Sequence, residues 1–511
     1  MPDAPARRQR RSGWGRAALG LSCFALGAAA ALGQAPWSLW PVSFIAFAGL
    51  YAIFARAETW RAAAWIGLAG GAGYFALALS WIVEPFLIDI PRHGWMAPFA
   101  LVFSAAGFAL FWAGAQAGAR ALVPSGGRGA ALAWVGAMTL GEALRGRLFT
   151  GFPWAQPGHA LIDTPMLAWS AYGGALPLTA FVLGAGAALW HLAQGRRVAG
   201  AAALAAFGAL FAAAPLLPRA PAPGEDAPII RIVQPNVPQA QKWDPAYMQE
   251  HFMRALGYTF DGTPPDLVVW PETALPVLLH QADGLLDDIW HAAGGAPVVL
   301  GVQRAEGARY FNSMILLDAE GRQTELYDKH HLVPFGEYVP FGDMLANFGI
   351  RGLAQRDGQG FSAGPGPALM DLGGIGRAVP LICYEGVFAR DVAGAPGRAD
   401  LLLLLTNDAW FGKVSGPYQH LAQARLRSAE QGLPMIRAAN TGISAMIDAG
   451  GRVTQSIALD EAGYIDAPLP PPLPPTVYAR TGDWPALMLL FLLICVPAAL
   501  QRGRFGATPR A

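Results

Sequence analysis

The sequence predicts an α-helical membrane bundle of eight spans, with an α/β domain inserted before the last of them. Three observations predict it. Of 511 residues, 54% are hydrophobic and 14% charged, against about 25% charged in an ordinary soluble domain. Eight apolar runs approach the roughly 20 residues needed to cross the hydrocarbon core of a bilayer. Between the seventh and eighth runs, short β-rich segments alternate with helical ones. A disordered chain needs low hydrophobicity and high net charge, so that class is excluded.

The first span, Ala17–Gly33, follows Arg7, Arg8, Arg10 and Arg11. Such a flank also suits a cleavable signal, but six more apolar runs follow at once and favour a span. These are Trp37–Ala55, Ala62–Val83, Trp95–Ala119, Gly129–Gly141, Leu167–Leu192 and Val198–Leu217. The fifth span is short and runs into Glu142 and Arg145, which read as a structural ion pair near the membrane surface. A charge at that depth is tolerated where it faces other helices. The eighth span is Trp484–Leu500. The expected organisation is therefore a membrane domain over 1–220, an α/β domain over 227–475 and a terminal span over 484–500.

Arginine placement sets the orientation. With eight spans, the N-terminus, Arg56/Arg61, Arg120/Arg128, Arg196/Arg197 and Arg502/Arg504 all fall on the cytoplasmic side. Arg92, Arg145, Arg147 and Arg219 are the exceptions. Omitting the fifth span would strand Arg196/Arg197 on the wrong side. The α/β insert then faces outward, which in a bacterium means the extracytoplasmic face of the inner membrane.

A formal net charge of +1 conceals this polarity. Residues 1–220 hold 15 Arg, no Lys and 6 acids, while residues 221–483 hold 18 bases and 29 acids. An acidic domain without a basic patch argues against nucleic acid, and attraction to anionic lipids is not what docks it.

Strands are expected at Ile229–Val233, Leu267–Trp270, Pro297–Val302, Ser313–Leu317, Ala378–Cys383, Leu401–Thr406 and Met435–Ala439. Helices are expected at Pro245–Tyr258 and Gln419–Glu430. Continuous apolar runs such as Leu401–Leu405 suit strands covered on both faces, and alternation with helices suits a layered α/β fold. Pro468–Pro475 reads as a stiff linker back to the last span.

Three islands carry chemistry. Val269-Trp270-Pro271-Glu272-Thr273 places an acid after an apolar strand. Tyr327-Asp328-Lys329-His330-His331 leads into Pro334-Phe335-Gly336-Glu337, and Leu381-Ile382-Cys383-Tyr384-Glu385 places a thiol at a strand end. A thiol attacks as thiolate and needs a base or cation beside it. A carboxylate can take and return its proton, and an ammonium can hold the charge on a carbonyl oxygen under attack. Cys23 and Cys495 lie inside apolar runs, so no disulfide framework is expected. Only three of 36 basic residues are Lys (Lys242, Lys329 and Lys413), which marks Lys329 as kept for a compact ammonium. His330 and His331 invite a metal, but neighbours in an extended segment point to opposite faces and no ligand set completes them.

In this order and spacing the islands resemble the nitrilase superfamily. With the spans added, the chain is similar to the bacterial apolipoprotein N-acyltransferase family. The likeness extends to Thr150-Gly151-Phe152-Pro153-Trp154, to Val233-Gln234-Pro235-Asn236 with Lys242-Trp243, and to Phe311-Asn312-Ser313 and Thr406-Asn407-Asp408-Ala409-Trp410-Phe411-Gly412. It implies an α-β-β-α sandwich with Cys383 as nucleophile, Glu272 as general base and Lys329 as oxyanion stabiliser. Glu337 would support the lysine, Tyr384 and Glu385 would shape the pocket, and Trp243 and Trp410 would line or gate its entrance. Asn312 and Asn407 complete the candidate pocket. No cofactor and no metal are implied. The implied partners are a phospholipid acyl donor and a diacylglyceryl-modified apolipoprotein acceptor, joined through a Cys thioester, and a monomer is expected. Phe341–Phe361, with Phe341, Met344, Leu345, Phe348, Ile350 and Leu353, reads as an apolar lid at the interface. The alternatives are a membrane-tethered amidase of the same triad and a catalytically silent nitrilase-like binding module.

Overall fold

Helices that are apolar all round need an apolar surrounding on every side, and the N-terminal part of the chain is built from them. In the computed structural model, residues 13–127, 129–339 and 360–505 are described. Residues 341–359 of the expected lid lie outside them. The apolar runs form α1 (Gly13–Ala31), α2 (Trp40–Ala55), α3 (Trp60–Ala78), α4 (Ala97–Leu122), α5 (Ala130–Arg145), α6 (Ala175–Ala193) and α7 (Arg197–Ala213). By length and composition, Ile90–Leu122, Ala175–Ala193 and Arg197–Leu216 suffice to cross a membrane. A fourth candidate is Trp60–Ala78 with Ser80–Leu87, bent by 48°, and the other apolar helices are shorter.

Three expected boundaries move. The third run breaks at Leu79 into a tighter 3₁₀ segment, Ser80–Leu87, that contains Pro85. The fifth continues through Glu142 and Arg145, because the two charges pair with each other inside the bundle and both side chains are fully buried. The sixth is regular helix only from Ala175, since Gly174 takes a φ of +70° and ends the short turn before it. Close packing depends on missing side chains. A Cβ on Gly73 would lie 1.9 Å from the Phe24 carbonyl oxygen, so α1 and α3 meet backbone to backbone.

The α/β domain has two six-stranded sheets among the described residues. The strands are β1 (Ile229–Gln234), β2 (Leu267–Val269), β3 (Val298–Glu306), β4 (Arg309–Leu317), β5 (Gln323–Asp328) and β6 (Met370–Asp371). They continue with β7 (Arg377–Ile382), β8 (Leu401–Thr406), β9 (Met435–Ala439), β10 (Ala445–Ile447), β11 (Val453–Ser456) and β12 (Gly463–Pro468). One sheet runs β12-β1-β2-β3-β4-β5 and the other β11-β10-β9-β8-β7-β6. Each has a parallel core, β1-β2-β3 and β7-β8-β9, flanked by antiparallel strands.

Period-two alternation explains the layers. Leu401, Leu403 and Leu405 of β8 face Ile232, Val269 and Met314 of the first sheet, while Leu402 and Leu404 face α10 (Gly416–Gln431) through Ala424. On the other flank, Val268, Trp270, Val298 and Leu300 meet α8 (Pro245–Phe260) and α9 (Asp283–Ala292) through Phe252, Leu256 and Ile289. The result is the expected α-β-β-α sandwich. Pro468 is the end of β12, paired with Ile229, rather than the start of a linker. A proline fits there because β12 is an edge strand. α11 (Trp484–Phe505) closes the chain and packs against α5.

Candidate active site

The first carboxylate is set by the strand before it. β2 ends in a fully apolar run, and Glu272 follows it, 7% exposed. The turn lies flat on β3 because position 301 is glycine: a Cβ there would sit 2.5–2.7 Å from Thr273 N, Glu272 Cα and Pro271 O. The turn's backbone is pinned on both sides, with Ala274 N donating to Gly301 O at 2.7 Å and Gly301 N donating to Pro271 O at 3.2 Å.

Lys329 emerges at the end of β5, one residue past Asp328, which Ser313 and Arg304 hold at 2.6 and 2.5 Å. Its own N–H donates to the carbonyl of Asn312 on β4 at 2.9 Å. Glu337 arrives from a tight turn whose Val333 N–H donates to Glu337 Oε2 at 2.8 Å. Asn312 stands between the acids, its Nδ2 donating to Glu272 Oε1 at 2.6 Å and Glu337 Oε1 at 3.2 Å. Lys329 Nζ lies 2.8 Å from Glu337 Oε1 and 4.0 Å from Glu272 Oε1. Each of these side chains is buried.

Cys383 follows β7 and opens the short 3₁₀ turn Cys383–Val387. Its φ is +50°, in the left-handed region that costs a non-glycine residue about 1–3 kcal/mol and marks functional turns. Burial, then the Glu272 charge, push its thiol well above the ordinary value, against Lys329 and the Thr406 hydroxyl. Burial likewise raises Glu272, opposed first by Lys329. For Lys329 burial works against the charge, but Glu337, Glu272 and Cys383 outweigh it and hold the ammonium above its ordinary value. The thiol thus holds its proton more tightly than usual, close enough to feel an acid of raised basicity and a fixed cation. That combination can move a proton off sulfur as it attacks a carbonyl.

The other expected pocket residues are placed differently from one another. Tyr384 packs into the apolar cluster of the N-terminal helical part, its hydroxyl donating to Gly151 O at 3.3 Å. Glu385 is a fully buried clamp. It accepts from Ile382 N at 2.7 Å, His330 N at 2.8 Å, His331 N at 3.2 Å and the Tyr327 hydroxyl at 2.8 Å, tying the cysteine turn to the lysine loop. Asn407 joins three segments through Gln239 at 2.8 Å, Asn440 at 2.9 Å and Thr441 at 3.5 Å. Trp243 and Trp410, in the segments that follow β1 and β8, are half-buried. His330 and His331 do not diverge as expected. Their rings, 6.4 Å apart, both reach Asp391, at 3.8 and 2.6 Å, because β5 has ended and the chain is turning. Among the described residues, no group of three or more His, Cys, Asp or Glu could hold a metal ion.

Two features escape the sequence. Lys242 reaches back so that its Nζ donates to the Glu272 carbonyl at 3.1 Å, and burial lowers its ammonium to about 8. The scarcity of lysine was the available signal. The second is the seating of the cysteine turn on the helices. Tyr384, Val387 and Phe388 share one apolar cluster with Trp81, Trp112 and Trp154. Glu142 accepts from the Trp112 indole at 2.6 Å and pairs with Arg145, and Arg145 donates to the Phe152 carbonyl. The Thr150–Trp154 loop is thereby held under the cysteine turn.

Residues 229–473 match the carbon-nitrogen hydrolase family, and residues 26–188 match the apolipoprotein N-acyltransferase N-terminal domain. An apolipoprotein N-acyltransferase of Brucella melitensis is 38% identical over 510 residues, covering 94% of this chain and 95% of that protein. The enzyme of the same name from Caulobacter vibrioides is 36% identical over 532 residues, covering 98% of each. A crystal structure of a CN-hydrolase superfamily protein from Xanthomonas campestris covers 51% of this chain and 96% of its own, at 21% identity and a TM-score of 0.35. Matched along nearly its whole length, with both family domains in order, the chain belongs to the apolipoprotein N-acyltransferase family.

Proposed function

We propose that this acyltransferase of lipoprotein biosynthesis works through a thioester on Cys383, with Glu272 as base and Lys329 as oxyanion stabiliser. The observation that carries the reading is the buried Glu272-Asn312-Glu337-Lys329 cluster beside a cysteine held at positive φ. In the first half-reaction Sγ attacks an acyl ester of a phospholipid while Glu272 takes its proton. The carbonyl π electrons move to oxygen, where Lys329 meets the charge. Collapse breaks the ester C–O bond, and Glu272 returns the proton to the departing lysophospholipid oxygen.

In the second half-reaction the α-amine of a diacylglyceryl-cysteine N-terminus attacks the thioester. An α-amine has a pKa of about 7.7–8.0, so part of it is already neutral. Glu272 takes the proton lost from nitrogen, the amide forms and the thiol is restored. Splitting the transfer suits two bulky substrates that cannot occupy one site together. Glu337 neutralises and aims Lys329, Asn312 sets the distance between the acids, and Lys242 steadies the Glu272 backbone. Glu385 and Tyr384 act behind the thiol as clamp and seat.

The membrane reading follows the same logic. Eight apolar helices with cytoplasmic arginines would place the α/β domain outside the inner membrane, as a monomer. The exposed apolar side chains Ile45, Trp65, Phe99, Phe103 and Leu110 would then face lipid rather than water. Both substrates are lipid-anchored, and the seating of the cysteine turn on the helices would keep the site at bilayer level.

The direct test incubates purified protein with phospholipid and reads the Cys383 peptide by mass spectrometry. A hydroxylamine-labile acyl adduct, absent in Cys383→Ala, is expected. No adduct with any phospholipid would falsify the first half-reaction.

A further inference from the structure

The left-handed turn at Cys383 needs support on both sides of the residue. On the N-terminal side, β7 and the Ile382 N–H bond to Glu385 supply it. On the C-terminal side, the support is His420 of α10. Its Nε2 lies 3.3 Å from the Cys383 carbonyl oxygen. A carbonyl oxygen only accepts, so Nε2 carries the hydrogen.

His420 is itself fixed from every direction. Nδ1 lies 2.8 Å from Asp408 Oδ1 and 3.1 Å from Arg437 Nη2. Asp408 is held by the Thr406 hydroxyl at 2.9 Å and Arg437 Nη2 at 2.6 Å, and Arg437 also donates to the Ile443 carbonyl. The His420, Asp408 and Arg437 side chains are at most 1% exposed. The Trp154 indole stacks on the ring at 5.6 Å and 26°, while Phe411 meets it edge-on at 5.4 Å and 88°. Trp154 belongs to the membrane-side loop, and its Nε1 donates to Gln419 Oε1 at 2.7 Å. Gln419 in turn donates to the Ala35 and Ala78 carbonyls of the helical part.

We propose that His420 is a positioning residue for acyl transfer. It holds the Cys383 carbonyl, and so keeps the backbone in the conformation that aims Sγ at Glu272 and Lys329. Trp154 is the plate on which the imidazole rests, so the helical part sets the attitude of the nucleophile. The inference rests on Cys383 being the nucleophile. It adds an acting residue that touches no substrate, and its effect belongs to the rate of acylation rather than to lipid binding.

Two amide substitutions isolate the bond. In His420→Gln the amide nitrogen reaches the place of the ring Nε2 and keeps a donor toward Cys383. In His420→Asn it reaches only the place of Nδ1, keeping Asp408 and losing the carbonyl. The measurement is single-turnover formation of the Cys383 thioester by the full-length protein, against concentration of phosphatidylethanolamine in detergent micelles. Thermal melting of the same preparations is followed in parallel.

His420→Asn should lower the limiting acylation rate by about tenfold or more, the scale of one buried hydrogen bond. The half-saturating lipid concentration should be unchanged, and His420→Gln should recover most of the rate. Equal rates for the two variants, whether both fast or both slow, overturn the proposal. So does a loss that tracks melting temperature instead of the amide's reach. If the unsubstituted protein forms no thioester, the reading of Cys383 fails first and takes this proposal with it.

Discussion

At the scale of single residues, the proposed chemistry rests on what burial does to three ionisable groups. Burial alone would leave Glu272 and Cys383 uncharged and Lys329 neutral, but Lys329 sits among acids that reverse its shift. The useful consequence is a carboxylate more basic than in water and better matched to a proton transfer near neutral pH. Glu272 must be ionised to act. Activity should therefore fall as pH drops through its raised value, giving an acid limb in kcat/KM above the ordinary 4.5. A limb at or below 4.5 would contradict that assignment. Glu272→Gln should lose about 10²–10⁴-fold in acylation rate, the usual worth of a positioned general base. As candidates, Glu272 and Cys383 stand out in the sequence because each follows an apolar strand, and Lys329 because lysine is scarce and it sits in a motif. The contacts of His420 and Lys242 are not legible there, because they join positions 37 and 30 residues apart.

At the scale of elements, the site is a set of strand ends and turns whose backbones are locked before any side chain acts. Gly301 shows the dependence. Gly301→Ala would force the Glu272 turn off β3, and misplacement by about 1 Å can cost about 10²-fold in rate. The expected result is a correctly folded protein with kcat lowered, checked by circular dichroism beside the lipid assay. Wild-type kcat would show that the turn can shift without consequence. A second element-level lock is the loop carrying His330. Burial disfavours its charge, but bonds to Asp391 and Glu385 prevail and raise it to about 9. A raised folded pKa stabilises the fold fully below the unfolded value of 6.5, and that contribution is lost as pH rises through about 9. Melting temperature should therefore decline between pH 7 and 10, with the decline reduced in His330→Gln. An equal decline in both proteins would remove His330 as its source.

The strands with strong apolar patterns were legible in advance, and the edge strands were not. β5, β11 and β12 are polar on exposed faces and are specified by partners far along the chain, as β12 is by β1. The pairing of His330 and His331 with a common carboxylate was misjudged for a related reason. A period-two rule holds only inside a strand, and β5 stops at Asp328.

At the scale of the whole molecule, the apolar helices and the α/β sandwich do more than share a chain. The cysteine turn is seated on Trp81 and Trp154, and the buried Glu142–Arg145 pair braces the loop beneath it. An anchor alone would not need to touch the turn that carries Cys383, the proposed nucleophile. On the proposed reading, the helical part is a structural component of the active site, in keeping with two lipid-anchored substrates. Its apolar runs were easy to read, but the way they support Cys383 needed the tertiary structure.

The proposed mechanism turns on one thiol carrying the acyl chain between the two substrates. It is tested most directly by separating the half-reactions. The protein is acylated from a phospholipid with an isotope-labelled acyl chain, freed of lipid by chromatography, and then given a synthetic diacylglyceryl-cysteine peptide. Labelled amide is expected on the peptide as the Cys383 thioester disappears, mole for mole, with no phospholipid present. Product that forms only when phospholipid is added again, with the thioester left intact, would contradict it.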